Sequence, residues 1–312
     1  MSNSTNSSNF LPICYFENEF IPFEDANISI ATQAFHYGTA AFGGMRIVVK
    51  DGEILLFRLN KNTKRLSQSA KFLGFEITPK EIENKILEFC KLNLKENPNL
   101  QSFYLRPLVY VADLGLSPRL HDVKFDFLIY GMPFGNYLPD SGITVCFSSW
   151  MRQSDASFPL RAKISGGYIT SALAKSEAVN RGFDEAILLG NSGKVSEGSA
   201  MNLFLVRENV LITPSTDQDI LEGITRLSVI EIATNLGIKV VERVVDKSEL
   251  LIADEVFLTG TAAKIAKVNQ IENYILPQEK PIATKLKEIF DMITSGETEG
   301  ENAKYKTWIT RI

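Results

Sequence analysis

Lys163 stands just ahead of Ile164, Ser165 and a Gly166-Gly167 pair that opens a helix-patterned segment. A primary amine bonds a carbonyl carbon reversibly, and small residues beside it let a flat ligand approach the backbone. Taken alone, a lysine there is ordinarily a solvated charge. Glu197 is the carboxylate of Val195-Ser196-Glu197-Gly198-Ser199-Ala200-Met201-Asn202-Leu203-Phe204, set between strand-like residues; alone it reads as a hairpin-edge charge. Leu221-Glu222-Gly223-Ile224-Thr225-Arg226 opens a helix with free N–H groups and a Thr hydroxyl. That is either an anion site or an ordinary helix start. Thr259-Gly260-Thr261-Ala262-Ala263 follows an apolar strand and is either a backbone nest for an anion or a tight turn. Other chemistries are excluded. His36 and His121 are the only histidines, so a histidine metal cluster or triad has nothing to build on. There is no GxGxxG opening a helix, no GxxxxGK[ST] and no HExxH. No metal is expected.

These segments need elements to position them. Residues 13–21 and 45–57 read as hairpins, the second turning at Asp51-Gly52. Helices are expected over 61–73, closed by Gly74, and over 79–94, opened by Pro79. Strands are expected over 102–112, 123–130, 142–148, 185–189, 202–206 and 255–259, with helices over 167–181, 224–236 and 281–293. Residues 1–9 are rich in Ser and Asn and read as a disordered lead. Pro133, Gly135, Asn136, Pro139 and Asp140 mark a linker over 132–141, between a small domain of 10–131 and a large one of 142–312. Strands and helices mix without regular βαβ alternation, which predicts an α+β fold.

The 312 residues are 45% hydrophobic and carry a net charge of -4, so neither a core nor a balanced surface is lacking and no basic excess points to nucleic acid. Cys14, Cys90 and Cys146 have neither disulfide nor zinc spacing and are expected as reduced, buried thiols. No apolar run is long enough to span a membrane and residues 1–9 do not read as a signal peptide, so a cytoplasmic protein is expected.

Taken in order, seven segments resemble the fold-type IV pyridoxal 5′-phosphate (PLP) enzymes, the D-amino-acid and branched-chain aminotransferase family, and among them the bacterial branched-chain aminotransferases. They are the four above with Phe35–Thr39 plus Phe42–Arg46, Lys64-Arg65-Leu66, and Tyr104-Leu105-Arg106-Pro107-Leu108; the likeness runs from Ile13 to Thr294. The resemblance implies a small α/β domain and a larger domain with a β-barrel-like core. It implies that Lys163 is the Schiff-base lysine and the base that moves the substrate proton. Glu197 would partner the pyridine nitrogen, Tyr168 the phenolate oxygen, and Leu221 would pack on the ring. Arg65, Ile224, Thr225 and Thr261 would hold the phosphate, with Ala200, Gly223 and Gly260 also at the cofactor. On the substrate side it implies Thr261, Ala262 and Tyr104 for the α-carboxylate, Tyr37, Phe42 and Tyr137 as apolar walls beside Gly44, and Arg106 or Arg46 for a second carboxylate. Loop residues 111–116 would reach into a second subunit, which implies a homodimer. The implied reaction moves the amino group between L-Leu, L-Ile or L-Val and 2-oxoglutarate.

Two departures bear on substrate range. Gly43 stands where the bacterial branched-chain enzymes commonly carry Glu, and Ala200-Met201 where they commonly carry Gly-Glu. Gly43 leaves room for a D-amino-acid or (R)-amine aminotransferase, whereas the pair Tyr104 and Arg106 favours branched-chain substrates. An aminodeoxychorismate lyase sits poorly with the Tyr-Leu-Arg-Pro context. A PLP-binding protein without activity has no need of Lys163, Glu197 and Tyr168 together.

Overall fold

The computed structural model describes residues 9–135 and 139–312. Tyr137, most of the expected lead and part of the expected linker lie outside the described residues. The chain divides into two compact units. One takes Met1–Gly135, Ala162–Gly166 and Thr294–Ile312; the other takes Asn136–Arg161 and Gly167–Ile293.

In the first unit, β1 (Ile13–Phe16) and β2 (Glu19–Pro22) form the first expected hairpin. Its turn residues Glu17 and Asn18 both take positive φ, as a tight two-residue connection demands. Next, α1 (Gln33–Tyr37) ends on Gly38 at φ 64°. A Cβ there would stand 2.6 Å from Gly166 Cα, so only glycine lets the two backbones meet. Then follow β3 (Ala40–Phe42), β4 (Met45–Lys50) and β5 (Glu53–Phe57), the last two joined through Asp51-Gly52 at positive φ. Helix α2 (Leu59–Lys71) packs on α3 (Pro79–Glu96). A capping box starts α3: Glu81 N–H donates to Thr78 Oγ1 and Thr78 N–H to the Glu81 carboxylate. Long strands β6 (Ser102–Val111) and β7 (Phe125–Pro133) complete the set. Among the described residues the sheet has eight strands, in the order C-terminal strand Ile309–Arg311, β5, β4, β6, β7, β1, β2, with β3 also on β6. Its core includes Ile47, Leu56, Phe103 and Leu105, with Leu66, Ile86 and Phe89 from the helices.

The second unit holds β8 (Ile143–Phe147), α4 (Tyr168–Asn180), β9 (Glu185–Leu189), β10 (Val195–Gly198), β11 (Asn202–Arg207), β12 (Val210–Pro214), α5 (Ile224–Asn235), β13 (Val240–Arg243), α6 (Lys247–Leu251), β14 (Glu255–Gly260), β15 (Lys264–Ile271), β16 (Tyr274–Ile275) and α7 (Pro281–Thr294). Its sheet runs β10-β9-β8-β15-β14-β11-β12-β13, with β16 on β15. It curls, so that β10 also lies against β11 and β12. Val145, Ile187, Leu203, Leu205, Leu258 and Val268 are buried within that curl. The mixture of antiparallel pairs with parallel β8–β9, β8–β15 and β12–β13 is the α+β class expected.

The division departs from the expected large domain of 142–312 in two places. Residues 162–166 belong to the first unit because Phe42 N–H donates to Lys163 O at 3.0 Å and Gly166 N–H to Gly38 O at 3.1 Å. The C-terminal strand belongs there because Ile309, Thr310 and Arg311 pair with Phe57, Leu56 and Leu55. Trp308, just before it, is buried and takes the Arg58 guanidinium 3.4 Å from its ring centroid. Trp308→Ala removes both the packing and the stacked cation. It is expected to destabilise the protein by about 3 kcal/mol, read as a lower urea midpoint; an unchanged midpoint would sink this account of the C-terminus.

Candidate active site

In the first unit the substrate-side residues meet through strand register. Arg46 on β4 lies opposite Tyr104 on β6, and Arg106 follows Tyr104 by two, so all three share one face. The opposite face of β6 buries Phe103, Leu105 and Pro107 in the core. Arg106 lies over the Phe42 ring at 4.6 Å and over Tyr104 at 5.3 Å, while Arg46 lies over Phe134 at 5.5 Å. The Nε of Arg106 is buried without a hydrogen-bond partner among the described residues. A Cβ on Gly44 would overlap the Tyr104 hydroxyl, so glycine there lets that hydroxyl lie against the backbone.

Lys163 joins the same group. Its Nζ stands 4.8 Å from the centroid of the Phe42 ring. Its backbone is held by two neighbours: Phe42 N–H donates to its carbonyl, and its own N–H donates to Ser69 Oγ at 3.0 Å. Ser69 in turn donates to Arg65 O within α2. One serine thus ties the lysine to the helix that carries Arg65, a link with no signal in the sequence. Tyr37 lies at the end of α1, half exposed, and its hydroxyl donates to Leu116 O.

In the second unit Glu197 is a buried member of β10. Its Oε2 accepts from Asn202 Nδ2 at 2.8 Å and from Leu221 N–H at 3.1 Å, and its Oε1 faces Arg152 Nη2 at 2.8 Å. Asn202 Nδ2 also donates to Leu221 O at 2.8 Å. A Cβ on Gly223 would overlap Asn202 Oδ1, so that glycine makes room for the amide. Sequence reasoning found Glu197, Leu221 and Gly223 but gave Arg152 and Asn202 no role. Asn202 carried a weak signal, a polar residue leading an otherwise apolar strand; Arg152 carried none, since its partner is remote in sequence.

Gly223 caps α5 with no side-chain hydrogen bond, leaving the first helical N–H groups at Ile224 and the buried Thr225 to the helix terminus. A separate cleft of about 330 Å³ is lined by Tyr168, Lys175, Glu185, Ala200, Thr261 and Ala262, with Gly260 at its edge. Glu185 fixes one wall: it is buried, accepts from Ser199 N–H at 3.3 Å and faces Lys175 at 3.3 Å. No group of His, Cys, Asp or Glu among the described residues could hold a metal ion.

Within the second unit, a buried carboxylate and an uncapped helix terminus suit the ring nitrogen and the phosphate of PLP; within the first, the amine on the Phe42 ring suits its aldehyde. The donor set therefore fits an enzyme of amino-group chemistry. The amino-transferase class IV family matches residues 40–271, and the chain belongs to it. It is 54% identical over 306 residues to a probable branched-chain-amino-acid aminotransferase of Synechocystis sp., covering 97% of this chain and 98% of that protein. It is 35% identical to the branched-chain-amino-acid aminotransferase of Escherichia coli, over 91% of this chain and 94% of the other. Among solved structures, the branched-chain aminotransferase of the archaeon Thermoproteus uzoniensis with norvaline superposes at TM-score 0.90 and 34% identity, over 96% of this chain and 98% of the other. A second branched-chain amino acid aminotransferase, from the organism abbreviated T.th. and complexed with N-(5′-phosphopyridoxyl)-L-glutamate, gives TM-score 0.87 and 36% identity, with the same coverages.

Proposed function

We propose that this class IV aminotransferase is PLP-dependent and moves the amino group between L-leucine, L-isoleucine or L-valine and 2-oxoglutarate. The observation that carries this reading is the placement of the Lys163 amine and the Arg106 guanidinium on one aromatic ring, that of Phe42. The relatives named above act on branched-chain amino acids, and the glutamate adduct of one of them supports the second donor.

PLP, when bound, supplies an aldehyde carbon for the amino group and a ring that draws electrons from the substrate Cα. Lys163 would be the residue that holds the cofactor through its amine, and the base positioned to move the substrate Cα proton. Glu197 would partner the ring nitrogen and favour its charged, protonated form. Tyr168 would donate to the phenolate oxygen, and Leu221, with Ala200, Gly223 and Gly260, would pack about the ring. Arg65, Thr261 and the N–H groups of Ile224 and Thr225 would hold the phosphate. Tyr104, Thr261 and Ala262 bind the α-carboxylate. Phe42 and Tyr37 would form apolar walls beside Gly44, and Arg106, backed by Arg46, would receive the side-chain carboxylate of glutamate.

We propose a homodimer as the working unit. Ile30, Phe35, Leu114 and Leu116 of the first unit are exposed, Leu116 to 87%, and Tyr37 ties that loop to α1. Such a patch on one face is what a second copy covers. We propose a cytoplasmic location, with which three free, buried cysteines, Cys14, Cys90 and Cys146, are in keeping. No helix among the described residues is long and apolar enough to cross a membrane.

Borohydride reduction of the yellow protein is expected to fix the cofactor on Lys163; peptide mass mapping to any other lysine would refute its role. Light scattering is expected to give twice the chain mass of 34.8 kDa or a multiple of that pair, and a single-chain mass would refute the dimer. Arg106→Leu separates the two donors. Leucine needs only apolar walls, whereas a buried carboxylate without a partner is costly. The charge-assisted hydrogen bond contributes about 1.5–3 kcal/mol, so glutamate should lose roughly 10- to 150-fold in kcat/KM relative to leucine. Equal losses for both donors, with a lower melting temperature, would instead make Arg106 a structural strut.

A further inference from the structure

Arg152 takes no part in the roles above, yet its Nη2 stands 2.8 Å from Glu197 Oε1, with the two side chains only 11% and 7% exposed. The guanidinium is built into place. Arg152 N–H donates to Leu189 O at 2.8 Å, and its Nε donates to Asp219 O at 3.1 Å. The carboxylate is loaded on both oxygens: Arg152 on Oε1, Asn202 Nδ2 and Leu221 N–H on Oε2.

A buried carboxylate without a counter-charge tends to hold a proton. A protonated Glu197 would offer that proton to a neutral ring nitrogen and leave the ring a weaker electron sink. Arginine suits the counter-ion, since its guanidinium does not lose its proton and its planar fork fixes direction as well as charge.

We propose that Arg152 is a positioning residue for transamination: it holds Glu197 as an oriented anion, so that the proton shared with the pyridine nitrogen resides on nitrogen. The inference rests on Glu197 being the ring partner. A purely structural Arg152, joining its loop to β10, is the rival reading.

The test uses holoenzyme of four variants: Glu197→Gln, Arg152→Met, Arg152→Lys and the Arg152→Met/Glu197→Gln double variant. Each is read by the position of its visible cofactor band, its leucine half-reaction rate and its melting temperature. Arg152→Met is expected to move the band in the same direction as Glu197→Gln and to slow the half-reaction about tenfold or more, the loss typical of a charge-assisted hydrogen bond. Arg152→Lys keeps the charge and is expected to keep the band and hold the rate within about threefold of the parent. The double variant is expected to match Glu197→Gln alone, because Arg152 acts through the carboxylate. If Arg152→Met does not fold, the double variant leaves neither charge buried alone and carries the test with Arg152→Lys.

A parental band and rate in Arg152→Met with a lowered melting temperature would overturn the proposal. So would a double variant about tenfold slower than Glu197→Gln, or an Arg152→Lys protein as slow as Glu197→Gln. Should Glu197→Gln itself show the parental band and rate, the role of Glu197 fails first. Should it shift them while Arg152→Met does not, only the role of Arg152 falls.

Discussion

The Glu197 carboxylate is nearly out of water, and taking a charge there costs several kcal/mol after relaxation unless its oxygens are met. Much of the second unit's local design follows from that constraint. Strand β10 carries the carboxylate inward, and the first residue of β11 turns an amide onto it. The segment before α5 brings the Leu221 N–H, and the same amide grips the Leu221 carbonyl. Gly223 is bare because the amide occupies the space its side chain would need. One buried charge thereby fixes the mouth of a helix whose own terminus carries no side-chain cap.

The first unit solves a different problem, that of placing two cations close together on the face of a sheet. It does so with an aromatic face. The guanidinium of Arg106 and the amine of Lys163 both lie on the ring of Phe42, and the sheet register sets the spacing of Arg46, Tyr104 and Arg106. Cations on aromatic faces keep much of their donor capacity, which a carboxylate partner would use up. The lysine's position is a backbone matter: Ser69 and Phe42 hold the peptide groups before and after its Cα.

Local features were legible in the residue order, and long-range ones were not. Asp51-Gly52 predicts its hairpin because few other pairs tolerate two positive φ angles in succession. Pro79 predicts the start of α3 for an equally local reason. Strand β12 is a tight hairpin partner of β11, but its turn is Glu208-Asn209, a pair without the glycine that marks Asp51-Gly52. Strand β13 was missed because its partner β12 lies on the far side of α5 in the chain, and the C-terminal strand because its pairing with β5 spans most of the sequence. The roles of Lys163 and Glu197 came from resemblance, since each segment alone had an ordinary reading. Arg152 and Ser69 were invisible, for a salt bridge to Glu197 and a hydrogen bond to Lys163 become apparent only when the chain is folded.

The pairing of Ile309–Arg311 with β5 also sets an order of events during synthesis. The edge of β5 opposite β4 has no strand to receive until residues 309–311 have left the ribosome. Until then the Leu55–Phe57 backbone presents unpaired donors and acceptors, and the Arg58 guanidinium lacks the indole it stacks on. The second unit is complete in residue order before that edge closes. A nascent chain therefore carries an open sheet edge throughout the synthesis of the second unit, which makes the arrival of residues 309–311 the step that ends its exposure to other chains.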